Sequence, residues 1–267
     1  MTVRSPRPTA LASTLVLAVV AGCSLVVDTA GLAGDPDASA AADGATGADG
    51  DGSGSPDAVV SGNYCAAQSP QHQFCADFDE HPIGFGWSSV DSDTAISLEP
   101  DPLSSSPPTS VRSRVLVGKV CTRAMLNKTF ADPYIEAHFA FDLRMEADLV
   151  ASPEGIYVAS LEVGKCNHLI QVYSSMLAVY SQIDYPSGED WQDTKVPVKP
   201  GQWMRLALDV DRQTGAIAFS VDGKRAFANV LLGPTCTASA PVKMRVGLYC
   251  QNVPAEMRFD NVTFDGK

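Results

Sequence analysis

Strict alternation of apolar and polar side chains dominates the second half of the chain. In the segment from Tyr134 to Met145, one set of alternate positions is apolar: Ile135, Ala137, Phe139, Phe141, Leu143 and Met145. A period of two is typical of a strand with one buried and one exposed face. The same pattern recurs over 203–210, 217–221 and 244–250. No long helical period occurs in this part of the chain, so the sequence predicts an all-β domain of antiparallel strands.

Two local signals add detail to these strands. Asp222-Gly223 between two apolar runs predicts a tight hairpin turn. The last apolar run changes phase between Phe259 and Val262. One extra residue near Asp260-Asn261 would return both halves of the run to the same face, so we expect a β-bulge there.

The N-terminal segment has the features of an export signal. An apolar run, Leu11–Val20, follows two arginines and is too short to span a bilayer. The string Val20-Ala21-Gly22-Cys23 resembles the lipobox of bacterial lipoproteins. This resemblance implies a signal peptide over 1–22, a lipid on Cys23 and attachment to the cell envelope. In a Gram-negative host, Ser24 after the cysteine implies the outer membrane or the cell surface.

Residues 23–62 are predicted to form a disordered tether between the lipidated cysteine and the domain. The stretch Gly34–Pro56 consists almost entirely of Asp, Gly, Ala, Ser, Pro and Thr. Such a segment cannot bury enough apolar surface to offset the entropy lost on ordering. The remaining residues, 63–267, are enough for a single all-β domain.

The cysteine count agrees with export. With Cys23 assigned to the lipid, six of the seven cysteines remain, an even number. Disulfides persist in oxidising compartments, and six cysteines allow fifteen pairings. We take three pairs as candidates: Cys65–Cys75, Cys121–Cys166 and Cys236–Cys250.

The charge of the chain excludes one class of partner. The sequence has 31 acidic and 19 basic residues, for a net charge of −12. A nucleic-acid-binding protein needs a basic face to contact phosphates. We therefore expect no nucleic-acid partner. The lipid on Cys23, in contrast, would bind the protein to a membrane.

Four segments resemble the concanavalin A-like lectin/glucanase superfamily. They are the opening Phe74–Asp79, the long strand with its turn over Trp203–Gly215, the hairpin Phe219–Gly223 and the closing Arg258–Phe264. The resemblance implies a jelly-roll β-sandwich of two antiparallel sheets, with the first strand beside the last. Many functions share this fold, so the site itself must decide the function.

The catalytic motifs of this superfamily are incomplete in the chain. Its glucanases carry Glu-x-Asp-x-x-Glu on one strand, but Glu99-Pro-Asp101 lacks the last Glu, and its prolines predict a loop. Its polysaccharide lyases use Gln-Ile-His, and Gln182-Ile183-Asp184 departs at the histidine. No cofactor is expected. Calcium, which lectins of this superfamily often use, has only dispersed candidate ligands: Asp91, Asp93 and Asp184.

The candidate ligand-binding residues are those that could stack on a sugar and orient it. Tyr134, Glu136 and His138 alternate on the polar face of their predicted strand, and Trp191 lies in a polar stretch. We therefore predict a surface-anchored lipoprotein whose non-catalytic, lectin-like domain binds glycan. The alternatives are a structural or adhesive lipoprotein that binds proteins and, third, a polysaccharide lyase or hydrolase.

Overall fold

The computed structural model describes residues 63–79, 81–92, 96–115, 122–146, 155–183, 188–231, 241–251 and 254–267. The predicted signal peptide, the lipidated Cys23 and the tether lie outside these residues. Within the described ranges, no helix is long and apolar enough to cross a membrane.

The described residues form a short helix and fifteen strands. The helix is α1 (Tyr64–Ala67), and the strands are β1 (Phe74–Ala76), β2 (Ser89–Ser92), β3 (Ile96–Asp101), β4 (Ser110–Val115), β5 (Thr122–Phe130), β6 (Glu136–Met145), β7 (Ile156–Val163), β8 (Cys166–Tyr173), β9 (Met176–Ile183), β10 (Gly188–Pro197), β11 (Trp203–Asp211), β12 (Ala216–Val221), β13 (Lys224–Leu231), β14 (Val242–Gln251) and β15 (Ala255–Gly266).

The strands build two antiparallel sheets, as the sequence predicts. Sheet A has the order β13-β12-β11-β6-β15-β4-β3, with β1 also paired to β15. Sheet B has the order β10-β9-β8-β7-β14-β5-β2. Strands that are adjacent in each sheet often come from distant parts of the chain, which is the connectivity of a jelly-roll sandwich. The first strand was expected near the last, and this is confirmed, because β1 pairs with β15.

The core lies between the sheets, and the central strands contribute alternate residues to it. On β6 the side chains of Phe139, Phe141 and Leu143 are fully buried, and β8 contributes Ile170 and Val172 from the opposite sheet. The intervening residues point away from the core. Each sheet therefore has an outer face, whose polar side chains are available for function.

Both local predictions from the sequence are confirmed. The hairpin between β12 and β13 turns at Asp222-Gly223, both with positive φ. The register of β15 against β6 shifts between Asp260 and Thr263, and Asn261 has a φ of 48°. This bulge lets Phe259 and Phe264 both reach the core although their positions differ in parity.

Two predictions about strand positions are wrong. Ile135 was expected in the core, but β6 begins at Glu136, and Ile135, which precedes it, is 43% exposed. Glu99-Pro-Asp101 was expected in a loop, but it belongs to β3. Proline is tolerated there because β3 is an edge strand of sheet A, where a missing N–H need not break a ladder.

One predicted disulfide is confirmed. Cys65 and Cys75 are bonded, which joins α1 to β1. Cys166 is also in a disulfide. The predicted pairs Cys121–Cys166 and Cys236–Cys250 each include a residue outside the described ranges, so both pairings stay predictions.

Candidate functional site

The predicted binding residues of β6 do not form one site. Glu136 and His138 lie on the outer face of sheet A, where His138 Nδ1 is 2.5 Å from Asp209 Oδ1 and Glu136 Oε2 is 3.4 Å from Lys267 Nζ. Tyr134 precedes the strand and packs against the core rings of Phe130 and Phe264. Alternation had suggested that Tyr134 lies beside Glu136 and His138, but it does not.

Trp191 lies on the other sheet, among other aromatic side chains. It belongs to the edge strand β10 and is 42% exposed. Its Cα pairs directly with that of Tyr180 on β9, and the two ring centroids are 6.0 Å apart. Tyr173, which is 39% exposed, contacts the same indole edge-on at 6.1 Å.

The aromatic contacts continue across sheet B. The Tyr180 ring lies 6.4 Å from that of Tyr157 on β7, and Tyr157 lies 6.2 Å from Tyr249 on β14. The guanidinium of Arg123 on β5 is 5.5 Å from the centre of the Tyr249 ring. We call Trp191, Tyr180, Tyr157 and Tyr249 the aromatic row. It crosses sheet B from its edge strand to its middle.

The row ends in a polar groove of about 400 Å³ on the same face. Tyr157 and Tyr249 line both, so the groove and the row form one continuous surface. The other polar and charged side chains that line the groove are Ser89, Asp91, Arg123, Asn127, Thr129, Ser160, Glu162, Asn167, Lys243 and Arg245. On β7 and β14, ordinary β-sheet alternation places Glu162, Lys243 and Arg245 outward, because their strand neighbours fill the core.

Glu162 organises the charges at the centre of the groove. Arg245 Nη2 donates to its Oε2 at 2.7 Å, and Lys243 Nζ donates to its Oε1 at 3.1 Å. Burial raises the pKa of Glu162, but the hydrogen bonds from Arg245 and Lys243 outweigh that effect and hold the pKa below its ordinary value. Glu162 is therefore a carboxylate at neutral pH.

The floor of the groove includes a glycine that no other residue can replace without strain. Gly247 has a φ of 128°, and a Cβ on it would lie 2.1 Å from the carbonyl oxygen of Ala124 on the neighbouring strand β5. The bare backbone at this position separates Arg245 from Tyr249 and lets β14 approach β5 closely.

No histidine lines the groove within the described residues. His168 on β8 faces the core, where burial lowers its pKa to about 4 and its Nδ1 is 2.8 Å from Ser181 Oγ. His138 lies on sheet A. Among the described residues that line the groove, Tyr157, Tyr249 and Arg123 are therefore not accompanied by a histidine.

One of the three residues considered for calcium lies within the described ranges. Asp91 lines the groove, while Asp93 and Asp184 lie outside the described ranges. Within those ranges, no group of three or more His, Cys, Asp or Glu side chains is arranged to hold a metal ion.

Comparisons with known proteins identify the fold. An endo-β-1,4-glucuronan lyase from the fungus Trichoderma reesei is similar over 74% of this chain and 96% of its own, with 15% identity and a TM-score of 0.56. The cellulose induced protein Cip1 is similar over 73% of this chain and 98% of its own, with 11% identity and a TM-score of 0.57. The fold of this chain is a jelly-roll β-sandwich of two antiparallel sheets. No family model matches the sequence, and no curated protein matches it.

The sequence predicted one member of the aromatic row and missed the other three as binding residues. Tyr157 and Tyr180 each stand between two buried side chains, and Tyr249 follows the buried Leu248, so strand alternation places all three outward. An outward-facing tyrosine on a predicted strand is a usable signal. It does not reveal that the three meet, which depends on the order of the strands in sheet B.

Proposed function

We propose that this domain binds a glycan chain on the outer face of sheet B. The observation that supports the proposal is the aromatic row, four rings in consecutive contact across the sheet. The C–H faces of pyranose rings pack against aromatic rings, and nearby polar groups fix their orientation. A row of several rings suits a chain of several sugar units rather than a single monosaccharide.

Trp191 is the exposed end of the row, and its removal tests the proposal. We expect Trp191→Ala to weaken binding of polysaccharide by about tenfold, since truncating an aromatic residue at a binding hot spot costs more than about 1 kcal/mol. Affinity electrophoresis and calorimetry against a panel of neutral and acidic polysaccharides would measure it. Phe85→Ala is the matched control, because Phe85 is 64% exposed but lines a different surface.

Two outcomes would contradict the proposal: the wild-type chain binds no member of the panel, or Phe85→Ala lowers the affinity as much as Trp191→Ala does.

The same incubations separate binding from cleavage. A β-eliminating lyase leaves an unsaturated uronate that absorbs in the ultraviolet, and the contact between Arg123 and Tyr249 is the feature in the groove that would support one. A time-dependent rise in absorbance would replace the binding function with catalysis.

We further propose that the domain is held at the cell envelope by a lipid on Cys23. The proposal rests on the apolar run and the lipobox-like string that precede this cysteine. We expect the chain to incorporate labelled fatty acid when it is produced in bacteria, and Cys23→Ser to abolish both the label and the membrane association. Cys65→Ser, which removes a different cysteine, should leave the label in place.

A further inference from the structure

We propose that the glycan bound on this face is acidic, and that Glu162 is an internal competitor for the basic side chains that bind its anionic groups. The inference rests on the proposed function, because it concerns the ligand of the same face. It goes beyond the aromatic row, which is equally suited to neutral sugars.

The charge of the face differs from the charge of the chain. Arg123, Lys243 and Arg245 line the groove, and Lys165 lines the adjoining depression beside Tyr157. Only two carboxylates, Asp91 and Glu162, line these two described surfaces. The groove and the adjoining depression are therefore basic in a chain whose net charge is −12. A local basic surface attracts anionic ligands even when the whole protein is acidic.

The geometry at Glu162 is that of a bound anion. Its two oxygens accept from two different cations, Arg245 at 2.7 Å and Lys243 at 3.1 Å. A carboxylate or sulfate on a sugar would use the same donors, because guanidinium and ammonium groups bind such oxyanions through charge-assisted hydrogen bonds.

The cations remain accessible to a ligand while they hold Glu162. The side chain of Arg245 is 27% exposed and that of Lys243 is 42% exposed. Because the pKa of Glu162 is lowered, it stays ionised across the neutral range and continues to compete there. An acidic glycan must therefore share these donors with Glu162 or displace it, which lowers its affinity.

Neutralising Glu162 tests the inference through a gain of affinity. We expect Glu162→Gln, in the purified full-length chain, to raise the ratio of acidic to neutral affinity by about tenfold, since one competing charge is removed. Three probes of equal length are compared by calorimetry: a neutral β-linked glucose oligosaccharide, its uronic acid counterpart and its sulfated counterpart. A gain for the uronate alone identifies carboxylates, and a gain for the sulfated probe identifies sulfates.

Glu256→Gln is the matched control. Glu256 is exposed to nearly the same extent as Glu162, 23% against 25%, and likewise pairs with two basic side chains, Arg114 and Arg258. It lies on sheet A, however, so the same loss of charge should leave the affinity ratio unchanged. Arg245→Gln provides a second test with the opposite sign, because it should lower the ratio even if Glu162→Gln proved too unstable to measure.

The outcomes separate the two proposals. If the wild-type chain binds glycans but neither Glu162→Gln nor Arg245→Gln changes the ratio, the inference about acidic ligands is wrong and the glycan-binding function stands. If Glu256→Gln shifts the ratio as much as Glu162→Gln, the effect is one of net charge and the inference is also wrong. If no probe binds the wild-type chain, both proposals fail together.

Discussion

Replacing Gly247 by alanine is expected to destabilise the domain by about 3–5 kcal/mol and to abolish glycan binding. Two costs add at this position. The φ of 128° is one that residues with a side chain rarely adopt. In addition, the new Cβ would lie 2.1 Å from the Ala124 carbonyl oxygen and 2.9 Å from the Met125 Cα, both backbone atoms of the paired strand.

Backbone atoms cannot move aside in the way that the end of a flexible side chain can. The clash at Gly247 would be relieved only by separating β14 from β5, in the middle of sheet B. Because Tyr249 and Arg245 flank the glycine on β14, the same displacement would move the end of the aromatic row and the basic residues. Stability and binding should therefore be lost together.

Gly223→Ala separates the two costs. Gly223 also has a positive φ, of 71°, but a Cβ there would meet no atom within 4 Å. We expect this variant to lose about 1 kcal/mol, from backbone strain alone. Urea unfolding of both variants measures the difference. Equal losses would mean that the close approach of β14 to β5 is not rigid, and that strain alone explains the need for glycine.

Much of the fold could be predicted because its rules are local. Alternation alone identified the strands that contain Phe139, Leu206 and Leu248, and a change of phase was enough to place the bulge at Asn261. The failures were also local. Ile135 continues the apolar alternation of β6 but precedes the strand and is exposed, and alternation cannot show where the core ends along a strand.

The binding face could be predicted only in part, because it depends on long-range order. Tyr157, Tyr180, Trp191 and Tyr249 come from four strands, and Tyr249 is far from the others in sequence. Only the sheet order β10-β9-β8-β7-β14 brings them together. Tyr134, Glu136 and His138 were grouped with Trp191 because nothing in a single strand tells which sheet it joins. From the sequence alone, the polar face of β6 therefore could not be distinguished from the outer face of sheet B.

The outer face of sheet A holds a buried carboxyl group that should make stability depend on pH. Asp260, at the bulge in β15, is fully buried. It accepts hydrogen bonds from the backbone N–H groups of Ser105, Ser106 and Asn261 at 2.9–3.0 Å, and so ties the loop before β4 to the last strand. The neighbouring carboxylate of Asp142 accepts from Ser105 Oγ at 2.5 Å and from Arg205 Nη1 at 3.1 Å.

Burial raises the pKa of Asp260 to about 7, and the negative charge of Asp142 adds to this effect. The hydrogen bonds from Ser106, Asn261 and Ser105 act in the opposite direction but do not cancel it. The folded chain therefore holds this proton more tightly than the unfolded chain, whose aspartate has a pKa of about 3.9. The resulting stabilisation is complete below about pH 4 and disappears as the pH rises through about 7.

We expect Asp260→Asn to remove this dependence. Between pH 4 and pH 8 the wild-type chain should lose up to about 4 kcal/mol of unfolding free energy relative to the variant, the amount that corresponds to the difference between the two pKa values. Urea unfolding at several pH values measures it. The wild type must be compared with the variant because His168 also makes stability depend on pH, with the opposite sign. Burial lowers the pKa of His168 in the folded chain to about 4, so its contribution to stability is present at neutral pH and is lost in acid.

Asp222→Asn is the matched control. Asp222 is an exposed turn residue with a positive φ, which asparagine tolerates. Its Oδ1 accepts a hydrogen bond from the backbone N–H of Arg205 at 2.8 Å. Its variant should keep the wild-type pH profile. Parallel profiles for the wild type and Asp260→Asn would mean that Asp260 is ionised throughout the neutral range. The donors of Ser105, Ser106 and Asn261 would then outweigh burial, and the bulge would be held by a permanent negative charge rather than by a group that titrates near pH 7.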